Sequence, residues 1–544
     1  MSVTADRGEI GRIPVVDIFC GAGGLGEGFC SSATEGRRRF DVTLSIDKEP
    51  VALATLRLRK FFHQFPSGKV PEEYYRFLRS DSDGNLEHLK AAYPTQWETA
   101  TARCLELVLG QERKKEGPLD DAIEAAIALS PDQWVLVGGP PCQAYSTAGR
   151  GKNRSLSGYT PEKDERHFLY EEYLRIIARY WPSVVIMENV TGILSSRVGS
   201  AKIFGRILQD LNEPGAVFGH RRRTAGENFR YRIYPLAVPH NSPDLFGYYH
   251  ESETDFVIDC ERFGVPQSRQ RVILLAVRDD IACDPDILRP ISGKPLTVGE
   301  ALAGIPRLRS GISQGKDTDE SWMKILDGGR PPGWFSENDR KARKWLLDLK
   351  KSKDSSLARR VLRITGKLKL PRSRRGGDFV RSKRRSRKIR EPLGSWLIDE
   401  RIGGFCGHMT REHMPSDLYR YLFCAAFTVE YGRSPKLDDF PAALMPAHES
   451  ASKGHYADRF RVQAANQPAS TVMSHIRNDG HYYIHPDPAQ CRSLTPREAA
   501  RLQSFPDNYY FFGAMGSKFR QIGNAVPPLL ARQIGEVVAK LLDD

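Results

Sequence analysis

Trp134-Val135-Leu136-Val137-Gly138-Gly139-Pro140-Pro141-Cys142-Gln143-Ala144-Tyr145-Ser146 is the stretch whose reading decides the fold. Its apolar opening is too short for a helix and carries β-branched residues, which predicts a buried strand. The Gly-Gly-Pro-Pro run then stops it. In a parallel α/β sheet such a strand delivers Cys142 into the crevice at the carboxyl edge, where ligands of open α/β sheets bind. A thiol held there is a candidate nucleophile. The alternative is a small buried hydrophobe, as most free cysteines are. The flank favours the nucleophile, because 143–164 is polar, glycine-rich and basic, with Gly149, Arg150, Gly151, Lys152, Arg154 and Gly158. It is expected to be a mobile loop able to close over a phosphate-bearing substrate.

Working outward, Ile13-Pro14-Val15-Val16-Asp17-Ile18-Phe19-Cys20 predicts a first buried strand, running into Gly21-Ala22-Gly23-Gly24-Leu25-Gly26. Strand, glycine-rich turn and helix start bring backbone N–H groups close to a nucleotide-like ligand. The next strand, 40–47, ends in Asp47, placed to accept from two ribose hydroxyls, with a helix N-cap as the alternative. Helices are expected over 51–62 and 119–129. The acids of Arg79-Ser80-Asp81-Ser82-Asp83-Gly84 meet an adenine amino group or face solvent. A helix over 168–180 precedes the strand Val184-Val185-Ile186-Met187-Glu188-Asn189-Val190, and a strand-end carboxylate beside the Cys142 crevice points to function. In Gln267-Ser268-Arg269-Gln270-Arg271, the two arginines alternate, so both should face one side and grip a carboxylate, a phosphate or a base carbonyl.

From about 280 to 460 the strand–helix rhythm lapses. Residues 359–390 hold 15 Lys/Arg against one acid, Asp378. Blocks such as Arg359-Arg360 and Lys383-Arg384-Arg385 are suited to a phosphate backbone, and apolar segments at 345–347 and 418–428 favour an inserted folded domain over a basic tail. The α/β pattern resumes near 463. There Thr495, Pro496 and Glu498 signal a helix with a capping box, and a terminal amphipathic helix follows Gln521-Ile522-Gly523-Asn524-Ala525-Val526-Pro527-Pro528. A chain of 544 residues with 40% hydrophobic content carries a large core plus an insertion, and a net charge of +14 suggests a polyanionic partner. Nine cysteines without a Cys-x-x-Cys pair argue against a disulfide framework or a zinc site. With no signal-peptide core and no membrane-length apolar run, a soluble cytoplasmic protein is expected.

Taken in order, these pieces resemble the DNA (cytosine-5) methyltransferase family. The resemblance rests on Asp17-Ile18-Phe19-Cys20-Gly21-Ala22-Gly23-Gly24, Pro141-Cys142-Gln143, Glu188-Asn189-Val190 and the Gln-x-Arg-x-Arg element at 267–271. It extends to Arg497-Glu498-Ala499-Ala500-Arg501-Leu502-Gln503-Ser504-Phe505-Pro506 and 521–528. It covers roughly 14–280 and 460–540. Cys20 stands where small residues are usual, and 51–133 is longer than in compact members.

The resemblance implies a Rossmann-like α/β core over 1–290 and 461–544, dependent on S-adenosylmethionine, with a target-recognition domain inserted at 291–460. It implies cofactor contacts at Asp17, Phe19, Gly21, Gly23, Gly24, Asp47, Asp81, Pro141, Leu169, Asn524 and Val526. Catalytic roles fall to Cys142, Glu188, Asn189, Arg269 and Arg271, and DNA contacts to Gln143, Ser146, Arg150, Lys152, Arg154, Lys383, Arg384 and Arg385. The Cys142 thiolate is expected to add to C6 of a flipped-out cytosine, with Glu188 at N3 and the amine, and Arg271, supported by Arg269, at O2. The expected partner is double-stranded DNA, bound by a monomer at the bacterial nucleoid, with a restriction endonuclease or other phage-defence proteins alongside. Rival readings are a nicotinamide-dependent oxidoreductase, a non-catalytic DNA-binding protein and a tRNA-methylating relative.

Overall fold

Parallel strands buried on both faces carry unbroken apolar runs, and the strands read from sequence assemble in that way. The computed structural model describes residues 11–34, 36–80, 84–110, 117–140, 167–198, 201–218, 229–240, 249–250, 252–327, 330–352, 355–382, 389–446 and 459–543. An eight-stranded sheet is built from β1 (Ile13–Ile18), β2 (Phe40–Asp47), β3 (Cys104–Glu106), β4 (Val135–Gly138), β5 (Val184–Asn189), β6 (Tyr231–Tyr234), β7 (Val257–Asp259) and β8 (Gln270–Arg278). The order is β6-β8-β5-β4-β1-β2-β3, with β7 paired to β8. Strands β3, β2, β1, β4 and β5 run parallel, and β8 runs antiparallel to β5, β6 and β7. The chain winds outward from β1 to β3, then returns to lay β4 against the other side of β1. That reversal makes the carboxyl ends of β1 and β4 a topological switch point, where a crevice opens.

Helices cover both faces. Ile13 and Val15 of β1 pack with Leu25 and Phe29 of α1 (Gly24–Ser31) and with Leu530 and Ile534 from the end of the chain. Val16 and Ile18 face Ile123, Tyr173 and Ile177 on the other side. Between β2 and β3 come α2 (Pro50–His63) and helices Glu72–Leu78, Gly84–Ala92 and Pro94–Ala102. Helix α3 (His167–Tyr180) precedes β5.

Much of the inserted stretch packs around one helix. Its helix α4 (Pro415–Tyr431) carries Leu418, Leu422 and Phe423 into a core with Ile312, Trp322, Trp345 and Val361. Strands Gly376–Arg381 and Gly404–Met409 pair antiparallel, and the Cys406 carbonyl of the second accepts from Arg497 at 2.8 Å. No clean boundary falls at 290: Leu296, Val298 and Ala301 pack with Ala469, Leu502 and Phe519.

The closing elements are α5 (Pro496–Leu502), α6 (Met515–Asn524) and α7 (Pro528–Asp543). Helix α5 has the expected capping box: Glu498 N donates to Thr495 Oγ1 at 3.2 Å and Thr495 N to Glu498 Oε2 at 2.8 Å. Helix α7 returns to α1 so closely that a Cβ on Gly28 would lie 2.4 Å from Ala531. Among the described residues no helix is long and apolar enough to cross a membrane.

Candidate active site

The register aligns Ile18 of β1 with Gly138 of β4, and Gly138 with Met187 of β5, so three adjacent strands end together. Gly138 has to be glycine there, because a Cβ would sit 2.5 Å from the Ile18 carbonyl oxygen. Gly139 follows, and a Cβ on it would lie 2.7 Å from Glu188 Oε2. The start of Gly-Pro-Pro-Cys therefore runs along the Glu188 carboxylate. Asn189 ties the two segments, donating from Nδ2 to the Pro140 carbonyl at 3.3 Å and accepting at Oδ1 from Val190 N at 3.0 Å. Its side chain is spent on holding that loop's root.

Glu188 is paired with Arg271 across β5 and β8, Nε to Oε1, at 2.6 Å. Both side chains retain a little exposure, 13% and 12%, on the crevice side. Arg269 does not join them. It is wholly buried and donates to the carbonyls of Val472 at 3.0 Å, Gly523 at 3.3 Å and Ala525 at 3.0 Å. Burial, with Arg271 nearby, pushes its pKa down to about 9. The expectation that both arginines grip one group is corrected. Arg269 precedes β8 and is covered by the closing elements, whereas Arg271 lies within β8 and stays partly exposed. Gln267 is likewise internal, donating to Gln503 Oε1 at 2.6 Å and accepting from Val472 N at 2.7 Å. Gln503 Nε2 in turn donates to the Ala525 carbonyl at 2.6 Å. These stitches pass through polar residues that the closing motifs contain but whose partners no local pattern indicates.

The other side of the crevice is built around the turn after β1, where cofactor contacts are expected. Phe19, Gly21 and Gly23 take φ of 56°, 52° and 74°, and the left-handed values suit the glycines. A Cβ on Gly24 would lie 2.1 Å from the Val526 carbonyl oxygen, so the turn presses against the closing elements. Asp47 accepts from Gly21 N at 2.8 Å and from Glu49 N at 2.9 Å. Burial raises its pKa. It orders the turn, and the N-cap of α2 is Glu49, so the alternative role of Asp47 as that cap falls away. Asn524 is exposed, Val526 is buried and Leu169 is half-buried. Asp17 does not open onto the crevice. It points into the layer under α1, 1% exposed, where a Cβ on Gly26 would sit 3.0 Å from its Oδ2. Burial, against the pull of Lys60, pushes its pKa up to about 7.

Cys142, Pro141 and Asp81 lie outside the described residues, as do Gln143, Ser146, Arg150, Lys152, Arg154, Lys383, Arg384 and Arg385. Within the basic stretch of the insertion, several cations are already paired: Arg360 with Glu430 at 2.5 Å, Arg374 with Asp319, Arg375 with Asp317 and Glu412, and Arg390 with Glu300. Those four are ordered by carboxylates of their own domain. Arg359, Arg363, Lys367, Lys369, Arg372 and Arg381 are exposed.

The crevice fits an S-adenosylmethionine-like ligand. The face of the turn at Gly21 is open, with nothing within 4 Å of a Cβ there. Asp47 retains lone pairs for ribose hydroxyls. Among the described residues, no group of three or more His, Cys, Asp or Glu side chains is placed to hold a metal ion.

The family described as C-5 cytosine-specific DNA methylase matches residues 100–219 and 412–540, spans that include Cys142, Glu188 and the closing elements. The chain is 29% identical over 546 residues to the type II methyltransferase M.Bpa9945I of Bacillus paralicheniformis, covering 97% of this chain and 99% of that one. It is 26% identical to the type II methyltransferase M.AgeI of Thalassovita gelatinovora, covering 96% and 98%. It is 26% identical to the DNA (cytosine-5-)-methyltransferase M.ApeKI of Aeropyrum pernix, covering 76% and 82%. With the switch-point crevice and the Glu188–Arg271 pair at its edge, these matches make the chain similar to the C-5 cytosine-specific DNA methylase family.

Proposed function

We propose that this enzyme methylates C5 of a cytosine flipped out of a specific duplex DNA sequence, with Cys142 as nucleophile. The observation that carries the reading is the Glu188–Arg271 pair at 2.6 Å, beside the strand end that leads into Cys142. An isolated cytosine C5 is a poor nucleophile. Addition of the Cys142 thiolate to C6 makes C5 an enamine carbon. Glu188 accepts from the exocyclic amine and from N3 as that nitrogen takes up a proton, and Arg271 donates to O2, so charge developing on the ring faces groups already in place. Bound S-adenosylmethionine supplies an electrophilic methyl group. Asp47, the glycine turn and Asn524 hold that ligand. A base or water then takes the C5 proton and Cys142 leaves by elimination. Asn189 keeps the loop root beside β5, and Arg269 keeps the elements flanking Asn524 in register. The insertion, 291–460, reads the sequence, and the protein acts as a monomer on duplex DNA within a restriction–modification or related phage-defence system. Bisulfite sequencing of DNA from a methylation-free bacterial host tests this. Expression of the wild type should protect cytosine within one short sequence, and Cys142→Ser should protect none. Absence of protection by active, folded wild type, or wild-type turnover by Cys142→Ser, overturns it.

A further inference from the structure

Helices Glu72–Leu78, Gly84–Ala92 and Pro94–Ala102 take no part in the sheet. They close over Leu58 and Phe61 of α2 on one side, and over Ile402 and Cys406 of the insertion on the other. Polar contacts follow the same path. The Tyr75 hydroxyl donates to Asp399 Oδ2 at 2.7 Å, and Arg79 Nε donates to the Ile402 carbonyl at 3.1 Å. Arg401 reaches back to the carbonyls of Gly68 at 3.2 Å and Val70 at 2.6 Å, its guanidinium 4.3 Å from the centre of the Tyr75 ring.

Asp399 is where three segments meet. Its Oδ2 also accepts from Asn508 Nδ2 at 2.7 Å, and its Oδ1 accepts from Arg401 N at 3.0 Å. Asn508 Oδ1 accepts from Arg59 at 3.0 Å. Arg59 grips Glu27 of α1 in a fork of 2.7 and 2.5 Å, and the adjacent Tyr509 donates to the Ala22 carbonyl in the glycine turn. A polar line thus joins the cofactor turn and α1 to the root of the strand Gly404–Met409. Buried ion pairs are poor sources of stability, and their best-attested use is to fix one arrangement among several.

We propose that Asp399 is a positioning residue for DNA recognition. It holds Tyr75 and Asn508 at once, and so sets the angle at which the insertion faces the crevice. The helices between α2 and β3 are the strut that makes the angle rigid. The proposal rests on the reading of the insertion as the DNA-recognition part. The insertion keeps the core around α4, which Val462, Ile484 and Cys491 of the closing segment share, and the cofactor turn keeps its contacts with Asp47 and Val526, so loosening Asp399 acts first on their mutual register. Lost preorganisation of a two-part site appears in substrate binding and discrimination.

The test uses the full-length enzyme, the duplex identified by bisulfite sequencing and a duplex with one base pair changed. Asp399→Ala should raise the KM for the cognate duplex about tenfold, the worth of a charge-assisted hydrogen bond or two, and should narrow discrimination by a similar factor. Tyr75→Phe, which deletes one hydroxyl, should raise it about threefold. The kcat and the KM for S-adenosylmethionine should stay within about twofold of wild type. An unchanged KM for DNA in both variants overturns the proposal. So does a cofactor KM that rises in step with the DNA KM, which marks a general structural role. Should Asp399→Ala fail to fold, Tyr75→Phe and Asp399→Asn decide on the same criteria. A wild type that methylates no cytosine sinks the functional reading, whereas active variants with unaltered DNA kinetics sink this proposal alone.

Discussion

An alanine at position 139 would place its Cβ 2.7 Å from Glu188 Oε2 and 3.4 Å from the Glu188 carbonyl oxygen. Ordinary contact begins near the second distance, so the carboxylate has to retreat by about 0.7 Å. It is the far end of a flexible side chain and can do so, but only by straining its 2.6 Å pairing with Arg271. A misplacement approaching 1 Å in a group that must meet the reacting base costs about a hundredfold in rate. Gly139→Ala should therefore lower kcat about a hundredfold while Tm moves by no more than about 2 °C and cofactor affinity holds. Gly138→Ala is the contrasting case. Its Cβ would meet the Ile18 carbonyl at 2.5 Å, and sheet backbone cannot step aside, so overpacking should cost about 1–3 kcal/mol of stability. The assay is methyl transfer from labelled S-adenosylmethionine to duplex DNA, beside thermal denaturation. Folded Gly139→Ala with kcat within about threefold of wild type, or unfolding matching that of Gly138→Ala, refutes the steric argument.

The Asp17 carboxyl, raised by burial from 3.8 to about 7, binds a proton in the folded chain over a range where the unfolded chain does not, so it costs stability progressively as pH rises from about 4 to about 7. Asp17→Asn should then gain on the wild type between about pH 4 and pH 8, by up to about 4 kcal/mol in denaturant titrations; a pH-independent difference counts against a protonated Asp17. His408, wedged between Thr495 Oγ1 at 3.0 Å and the Pro306 carbonyl at 2.8 Å, is pushed down to about 4 by burial. It stays neutral while the unfolded imidazole protonates, so stability should fall as pH drops below about 6.5 and go on falling to about 4. His408→Gln should flatten that part of the Tm–pH curve, and an unchanged slope would discount the histidine. Arg269→Met strips buried carbonyls of their donor and should cost about 2 kcal/mol or more in urea titrations, with Arg271→Met, nearer the crevice, costing less stability but more activity. Equal stability losses in the two would mean that the buried and open arginines are not distinct.

The strands, the glycine turn and the capped helix α5 were legible because each depends on residues a few positions apart. Alternation and apolar runs mark buried strands, and Thr495 with Glu498 marks a helix start. The crevice was legible as well, since β-strand ends followed by Gly-Gly-Pro-Pro or Gly-Ala-Gly-Gly can only be its walls. What local pattern could not assign was the partner of each polar side chain. Arg269 and Arg271 are two residues apart and chemically alike, yet one binds carbonyls from residues 472, 523 and 525 and the other binds Glu188. The basic count over 359–390 did not separate cations paired with carboxylates of the insertion from those left exposed.

By itself the order of residues determined a Rossmann-like α/β sheet, the crevice at its carboxyl edge, and the Glu188 carboxylate at the end of one of its strands. Tertiary structure alone decided which groups face that crevice. Asp17 turned under α1, Arg269 was sealed among the closing elements, and Tyr75, Asp399 and Asn508 were joined across hundreds of residues. The physical reason is that backbone geometry repeats over a few residues and shows in sequence, whereas the hydrogen-bond partner of a buried polar group is whatever packing brings within 3 Å of it.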